Sequence, residues 1–327
     1  MTSATSVDPA LPAGSTGGLS RKRPLGDRTF QVVTLVAGLL VLVILVLIAV
    51  STSQQSSSWF SAEGISGIFS KTWNPSTNHF GALTFIYGTA LTSLIALVLA
   101  VPVSLGIALL LTEVVARRWS RPLVYVIDLL AVVPSVVWGL WGILVFAPWL
   151  QHIYTPIGNF FTGVPVLGNL FGPPVSGLSF FTAGIVLAFM ITPIITSLSR
   201  EVIATVPTMD REGAYALGAT RLEMIRGVVL PHSQGGLVGA VLLGLGRAMG
   251  ETIAVALVIG SSPVITSHLL APGYTMPAVI ANQFGEASGL FRSALMGLAV
   301  LLFLFTIIIN VAARAIVERS ARRGRGA

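Results

Sequence analysis

The chain of 327 residues is 54% hydrophobic, has only 9% charged residues and carries a formal net charge of +7. Soluble globular proteins have a charged share of about 25%, so this composition excludes an ordinary soluble domain and indicates a membrane protein. The chain has no cysteine, which excludes disulfides, thiolate metal sites and cysteine nucleophiles. The histidines His79, His152, His232 and His268 are scattered along the chain, so we expect no metal site.

Six apolar runs are long enough to cross a bilayer, which requires about 20 helical residues. A polar segment rich in Ser, Thr, Gly and Pro, residues 1–28, precedes them and is predicted to be a disordered cytoplasmic tail. The predicted spans are 30–50, 82–112, 122–150, 178–199, 233–261 and 292–316. The sequence therefore predicts an all-α polytopic membrane protein with a transmembrane domain over residues 29–317 and a basic tail over residues 318–327.

The basic residues are concentrated at both termini and in the connections after the second and fourth spans. If Arg314, at the end of the sixth run, is counted with the C-terminal tail, these four segments contain 16 of the 19 lysines and arginines, whereas the other connections contain only Lys71, with Arg292 at the edge of the sixth span. Cytoplasmic loops carry an excess of Lys and Arg, so we predict that both termini are cytoplasmic. Topology, with some attraction to anionic lipid headgroups, explains the positive charge better than nucleic-acid binding does.

One arginine remains inside a predicted span. Arg247 lies at the centre of the run 233–261, and Glu251 follows four residues later, on the same face of the predicted helix. A charge at the bilayer centre costs roughly 2.5–3.5 kcal/mol, so each must face a partner or water. The two side chains could form a structural ion pair. Alternatively, they lie on a translocation path for an anion, because a guanidinium group suits an oxyanion.

Small residues around Arg247 favour the translocation path. They recur at a spacing of four, as Gly236, Ala240, Gly244 and Ala248. Gly246 and Gly250 also flank the arginine, so neighbouring helices can approach closely and leave a groove beside the charges. Asp128, near the cytoplasmic end of the third predicted span, can reach headgroups or interfacial water.

The connection between the fourth and fifth spans, residues 200–231, is much longer than a hairpin requires. Thr208 is predicted to cap a short helix that has Asp210 and Glu212 in its first turn and that ends at Gly218. The segment is polar and rich in helix signals. It therefore forms either a docking element for a soluble partner or a plain surface linker.

A second short helix is predicted in the same connection. Thr220 and Glu223 have the spacing of a capping box, and one face of the helix is predicted to carry Leu222, Ile225 and Val229. Pro231 is predicted to end this helix before the next apolar run. Two short helices at the cytoplasmic surface would strengthen the docking interpretation.

The same connection resembles the EAA loop of permease subunits of bacterial ABC importers. The resemblance rests on Glu212-Gly213-Ala214, on Gly218, and on Val228-Val229-Leu230-Pro231. Gly213 stands for the usual second alanine of that motif, and Val228 for the usual isoleucine. This chain is therefore identified as a member of the binding-protein-dependent transport permeases.

Two further segments, residues 134–142 and 246–255, are similar to permease subunits of phosphate importers. These importers have two homologous permease subunits, and the continuation Ile253-Ala254-Val255 favours one of them over its sister. The resemblance extends from residue 30 to about residue 317. It implies the type I ABC importer permease fold and a multi-pass location in the bacterial inner (plasma) membrane.

The resemblance also implies functional residues. Arg247 and Glu251 would line the phosphate path. Contact with the ATPase would involve Glu212, Gly213, Ala214, Gly218, Leu230 and Pro231. The implied partners are a homologous permease subunit, an ATPase dimer, an extracytoplasmic phosphate-binding protein and membrane lipid, and no nucleic acid.

The chain is predicted to be a non-catalytic subunit without a cofactor of its own. Its only lysines, Lys22 and Lys71, complete no phosphate-binding loop, so a separate chain must bind and hydrolyse ATP. A permease for another oxyanion, sulfate or molybdate, remains an alternative. A self-sufficient anion transporter or channel would leave the segment 200–231 unexplained, and a membrane enzyme lacks a recognisable nucleophile or metal motif.

Overall fold

The structure is a computed structural model that describes residues 25–172 and 176–324. Most of the predicted disordered tail, residues 1–24, lies outside the described residues, and residues 25–28 belong to the first helix. Contacts divide the chain into two units, residues 1–50 and residues 51–327. In the first unit, nearly every described side chain is exposed.

The described chain is built from helices and one small hairpin. In chain order the α-helices are α1 (Leu25–Glu63), α2 (Ser66–Phe69), α3 (Leu83–Leu109), α4 (Arg117–Val132), α5 (Ser135–Trp141), α6 (Ala147–Phe161), α7 (Leu167–Leu170), α8 (Phe180–Ala204), α9 (Thr208–Ala216), α10 (Arg221–Met224), α11 (Leu230–Gly250), α12 (Ile253–Val258), α13 (Met276–Gln283) and α14 (Gly289–Gly324). Three π-helical turns extend or join them: Leu110–Val114 after α3, Gly142–Phe146 before α6, and Ile225–Val229 before α11. Strands β1 (Trp73–Asn74) and β2 (His79–Phe80) pair antiparallel.

Six helices in the described part of the chain are long and apolar enough to cross a membrane. They are Arg28–Glu63, Leu83–Val114, Ser135–Phe161, Phe180–Ala204, Arg221–Gly250 and Gly289–Ala315. This result confirms the prediction of a six-span, all-α membrane protein. Four spans contain or closely follow the predicted runs, whereas the third and fifth differ from them.

The predicted bounds of the third span, 122–150, were wrong. The helix that can cross the membrane is Ser135–Phe161, and α4 is a separate helix before it. The break lies at Pro134, because proline disfavours a helical backbone in the preceding residue, and Val133 is accordingly extended at φ −60° and ψ 123°. Asp128 therefore lies half-buried on α4 and not in a span.

The fifth span begins earlier than predicted. Pro231 does not end a helix, since α10, the π-helical turn and α11 continue from one to the next as a single apolar helix. A proline inside a membrane helix is tolerated where local π-helical adjustments satisfy the backbone groups that it frees, and Pro231 directly follows such a turn. In the π-helical turn before it, the Leu230 N–H donates to the Ile225 carbonyl.

The fifth span also ends earlier than predicted, at Gly250 instead of residue 261. Glu251 is extended, with φ −69° and ψ 128°, and α12 begins two residues later. Side chains satisfy backbone groups that the break releases: the Thr252 hydroxyl donates to the Gly250 carbonyl at 3.2 Å, and Glu251 Oε1 accepts from the Ala254 N–H at 3.4 Å. Glu251 therefore does not share a helical face with Arg247, contrary to the prediction.

Glycines let α11 pack closely against α8. A Cβ atom added to Gly244 would lie 2.6 Å from the Ile195 side chain, and one added to Gly236 would lie 2.4 Å from that of Val202. Real side chains do not approach so closely, so larger residues would force the helices apart. The predicted close approach along the small-residue stripe is present, and α8 is the helix that uses it.

The connection between the first two predicted spans, residues 51–80, is largely structured. Trp59 is fully buried there, and its indole N–H donates to the Phe80 carbonyl at 2.9 Å. The Trp59 backbone N–H donates to the Ser293 hydroxyl at 3.0 Å, which ties the end of α1 to α14. These contacts anchor the hairpin β1–β2 to the helices.

Candidate functional site

A groove of about 800 Å³ follows one face of α11 and is bordered by α14. Gly235, Gly239 and Gly246 lie along its wall, and a Cβ atom added to any of them would meet no atom within 4 Å. The helix therefore has two glycine-containing faces. One face packs against α8, and the neighbouring face remains open, so the groove lies beside the predicted stripe and not on it.

Arg247 lies at one end of this groove, in the last turn of α11. Its side chain is exposed and forms no hydrogen bond or ion pair with any described residue. A cation in the last turn of a helix interacts favourably with the partial negative charge of the terminal carbonyls. This interaction stabilises the charge without occupying the guanidinium N–H groups, which remain available to an anion.

Glu251 lies in the break after α11 and is 9% exposed. Its carboxylate accepts the Ala254 N–H, and it does not line the groove. Within the described ranges, the ion pairs join Glu63 to His79 and Glu113 to Arg211, and none joins Glu251 to Arg247. The structural ion pair considered as an alternative is therefore not formed in this conformation.

The start of the first short helix after α8, α9, differs from the prediction. Pro207 occupies the capping position, and Thr208 is the first helical residue, with no side-chain bond to the first turn. The predicted cap at Thr208 was wrong because the extended backbone of Pro207 already sets the helix start one residue earlier. Asp210 does lie in the first turn, where a negative charge favours the helix dipole.

The predicted end of this helix at Gly218 is confirmed. Gly218 has φ +84°, a left-handed conformation that glycine adopts without steric cost. Its N–H donates to the Tyr215 carbonyl at 2.9 Å, and the Ala219 N–H donates to the Ala214 carbonyl at 3.1 Å. These two bonds form a Schellman motif, which satisfies the last carbonyls of α9.

The predicted capping box at the next helix is also present. The Glu223 carboxylate accepts the Thr220 N–H at 2.7 Å, and the Thr220 hydroxyl accepts the Glu223 N–H at 3.4 Å. Ile225 and Val229 are buried as predicted, but Leu222 is 56% exposed. Met224 is buried in its place.

Helix α9 offers an exposed surface. None of its residues is buried, and Met209 and Leu217, at or next to its ends, are 80% and 91% exposed. Of the residues that the EAA resemblance assigns to ATPase contact, the exposed ones are Glu212, Gly213, Gly218 and Pro231, whereas Ala214 and Leu230 are half-buried. Exposed apolar side chains on a short, capped helix are typical of a docking element.

Comparison with known proteins identifies the family of this chain. Residues 100–325 match the family described as "Binding-protein-dependent transport system inner membrane component". The chain belongs to this family. It is 45% identical over 309 residues to "Phosphate transport system permease protein PstC" of Xylella fastidiosa strain Temecula1, covering 94% of this chain and 95% of that protein. It is 43% identical over 325 residues to PstC of Mesorhizobium japonicum, covering 98% and 99%.

A solved structure supports the fold of this permease. The chain matches one from a bacterial alginate ABC transporter crystallised with an alginate pentasaccharide-bound periplasmic protein, with a TM-score of 0.58 and 14% identity, covering 91% of this chain and 98% of that chain. At 14% identity, this comparison shows only the fold of the chain. The predicted type I ABC importer permease fold is confirmed, as is a multi-pass location in the inner membrane.

The sequence did not point to two polar residues of this permease that line the groove with Arg247. They are Asn310 and Arg314, one helical turn apart on α14. Arg314 was counted with the basic residues of the C-terminal tail, and Asn310 was not among the predicted functional residues. A signal was present: Asn310 is a polar residue within an apolar run and lies four positions before an arginine, so both occupy one helical face.

Proposed function

We propose that this permease is a transmembrane subunit of a bacterial ABC importer that moves inorganic phosphate into the cell. The supporting observation is its identity of 43–45% to phosphate transport permeases over at least 94% of its length. The chain itself is the non-catalytic part, and a separate ATPase supplies the energy.

The working assembly contains this chain, a homologous PstA-like permease, a PstB-like ATPase dimer and a PstS-like extracytoplasmic phosphate-binding protein. Both termini and α9 lie on the cytoplasmic side, in accordance with the distribution of basic residues. The exposed apolar residues of α9 then face the ATPase. Movement of that helix when the ATPases close would switch the permease between inward and outward access.

The groove along α11 supplies the anion path in this proposal. Arg247 and Arg314 present two guanidinium groups to one cavity, with the Asn310 amide beside the second. Guanidinium groups bind oxyanions through paired N–H donors. An anion that leaves Arg247 would therefore meet a second arginine before it reaches the cytoplasm.

Two alternative functions make different demands on the chain. A sulfate or molybdate permease could use the same arginines, since a guanidinium group binds any small oxyanion. The near-full-length similarity to phosphate permeases favours phosphate. A self-sufficient anion transporter or channel would have no use for the capped helix α9 with its exposed Met209 and Leu217.

Uptake by the reconstituted complex tests the proposed function. Liposomes containing both permease subunits and the ATPase dimer, with the binding protein and labelled phosphate outside and ATP inside, should accumulate phosphate. Unlabelled phosphate should compete, and equal concentrations of sulfate or molybdate should not. Equal competition by sulfate would identify a different oxyanion permease, and ATP-independent flux would identify a channel.

Arg314→Gln is expected to slow phosphate uptake roughly tenfold or more, since a hydrogen bond to a charged group contributes about 1.5–3 kcal/mol. Initial uptake rates in the same liposomes measure the effect. Arg314→Lys keeps the topology signal and the attraction to headgroups but lacks the paired donors, so it should recover only part of the rate. An unchanged rate in Arg314→Gln would remove this residue from the path.

Glu251 does not line the groove in this conformation, so the proposal places its contact with the anion in another conformation of the transport cycle. On that basis Glu251→Gln is expected to lower the preference for phosphate over sulfate roughly fivefold. A carboxylate accepts a hydrogen bond from a protonated phosphate oxygen, which sulfate lacks at neutral pH, and replacing a charged acceptor by a neutral one costs about 1 kcal/mol. Glutamine retains the oxygen that caps Ala254, so the break after α11 should persist. Competition curves measured at several sulfate concentrations would show no change if Glu251 is only a helix cap.

A further inference from the structure

One buried ion pair connects the short helix α9 to the ends of two spans. Arg211 Nη2 lies 3.0 Å from Glu113 Oε1, in the π-helical turn after α3, and donates a hydrogen bond of 2.8 Å to the Ile203 carbonyl in the last turn of α8. Among the described residues, no other side chain of α9 makes a hydrogen bond or ion pair with another element. Ala214 adds an apolar contact at the edge of a small core cluster.

The pair is shielded from water. The Glu113 side chain is 7% exposed and that of Arg211 is 21% exposed. Glu113 Oε1 has no hydrogen-bond partner among the described residues, so Arg211 is the group that compensates its charge. Salt screens a buried pair much less than an exposed one, and removal of one partner leaves an uncompensated buried charge. We therefore expect that removal of either charge destabilises the buried position of the other.

The chain connections on either side of α9 are short turns. Thr205, Val206 and the extended Pro207 separate it from α8, and four residues that include the left-handed Gly218 separate it from α10. A few residues in such a turn can absorb a change in backbone angles when one of the elements that they join moves. A displacement of α9 therefore reaches the spans most directly through the side chain that bridges them, which is Arg211.

The two spans that Arg211 contacts also bond to each other. The Ser104 hydroxyl of α3 donates to the Thr192 carbonyl of α8 at 3.2 Å, and the Thr196 hydroxyl donates back to the Ser104 carbonyl at 3.5 Å. A Cβ atom on Gly184 would lie 2.4 Å from Ile95, so the helices also pack closely. A force applied at Glu113 and Ile203 would therefore move α3 and α8 together.

We infer that Arg211 is a positioning residue that transmits movement of α9 to the ends of α3 and α8 through its ion pair with Glu113. The inference rests on the proposed function, since it assumes that an ATPase contacts α9. The Arg211–Glu113 contact lies within this chain, between α9 and the spans, and is distinct from the exposed surface of α9 that would contact the ATPase. Loss of the pair should leave the ATPase bound but disconnect it from the membrane helices.

The test variants are Arg211→Gln, Glu113→Gln and the exchanged pair Arg211→Glu with Glu113→Arg. Arg226→Gln is the matched control, because Arg226 is exposed, belongs to the same cytoplasmic connection and has no polar partner among the described residues. Each is made in the full complex. Co-purification of the ATPase measures docking, and stimulation of ATP hydrolysis by the loaded binding protein measures communication across the membrane.

A thiol probe supplies a readout that does not depend on the transported anion. The chain has no cysteine, and Gly239 lines the groove with open space around its Cα, so Gly239→Cys introduces one thiol of this chain at a tolerant position. The rate of maleimide labelling is compared with and without a non-hydrolysable ATP analogue. With Arg211 intact, nucleotide should change this rate at least threefold.

In Arg211→Gln and in Glu113→Gln, we expect normal co-purification, a labelling rate unresponsive to nucleotide, and at least a tenfold loss of stimulated hydrolysis. The exchanged pair should restore a response, whereas the control should match the unaltered complex. A normal nucleotide response in Arg211→Gln, loss of ATPase binding, or no response with Arg211 intact would each overturn the inference. Failure of phosphate uptake with a normal labelling response would instead contradict only the proposed substrate.

Discussion

Replacement of Arg247 by glutamine is expected to abolish phosphate uptake while the complex still assembles. Arg247 lines the groove, is exposed in this chain and has no polar partner among the described residues. The variant therefore leaves no group of the described chain unpaired. It removes the positive charge and the paired N–H donors from the position that the anion must pass.

The expected size of the loss follows from the number of bonds removed. A hydrogen bond to a charged group contributes about 1.5–3 kcal/mol, and a guanidinium group supplies two to a bound oxyanion. Loss of both corresponds to a decrease in uptake on the order of a hundredfold or more. Initial rates of labelled phosphate uptake in liposomes measure it, with the amount of assembled complex determined in the same preparation.

Two comparison variants separate charge from geometry. Arg247→Lys keeps the charge but loses the planar pair of donors, so it should retain a small part of the uptake. Arg118→Gln removes an exposed arginine outside the groove and should transport normally. Normal uptake by Arg247→Gln would exclude this residue from the path. Failure of the variant to assemble would assign it a structural role.

Glu212→Lys is expected to uncouple transport from ATP hydrolysis. Glu212 is exposed on α9 and has no polar partner among the described residues, so the substitution should not disturb the fold of this chain. It reverses a charge on the surface that carries Met209 and Leu217, both more than three-quarters exposed. A reversed charge at a contact surface repels the partner that the original charge attracts, at a cost of several kcal/mol.

The measurements for Glu212→Lys are ATPase co-purification, hydrolysis stimulated by the binding protein, and phosphate uptake. We expect weaker co-purification and at least a tenfold loss of uptake, whereas Arg211→Gln should lose uptake with the ATPase still bound. Insertion of one residue at Gly218, which disrupts the left-handed helix end, should act as Glu212→Lys does. Glu201→Lys, an exposed charge reversal on α8, is the control. Intact uptake and undiminished hydrolysis in Glu212→Lys would argue against ATPase contact at α9.

Local sequence signals were sufficient for the end of α9 and the start of α10. Gly218 ends α9, and Thr220 with Glu223 caps α10, because these interactions involve residues only three to five positions apart. The predicted cap at Thr208 was wrong by one position. Pro207, with its extended backbone, is the capping residue, and Thr208 is already the first residue of the helix. The predicted face of α10 was wrong at Leu222, which is exposed, whereas Met224 is buried.

The breaks in the spans lie next to prolines and glycines, but the sequence alone did not indicate at which of these residues a helix ends. A helix ends just before Pro134, whereas Pro231 lies within the continuous fifth span, after a π-helical turn. The difference depends on whether neighbouring turns and helices can satisfy the backbone groups that proline leaves without partners. The break at Glu251 was not predicted because apolar residues continue on both sides of it.

The sequence by itself determined that this is a six-span membrane permease, since hydrophobic length and the EAA pattern are properties of consecutive residues. Only the tertiary structure decided which face of α11 is open, and it brought Arg314 and Asn310 of α14 to the groove of Arg247. It also paired Arg211 with Glu113, nearly one hundred positions earlier. Such contacts depend on how helices pack, and helix packing is set by side chains distant in sequence.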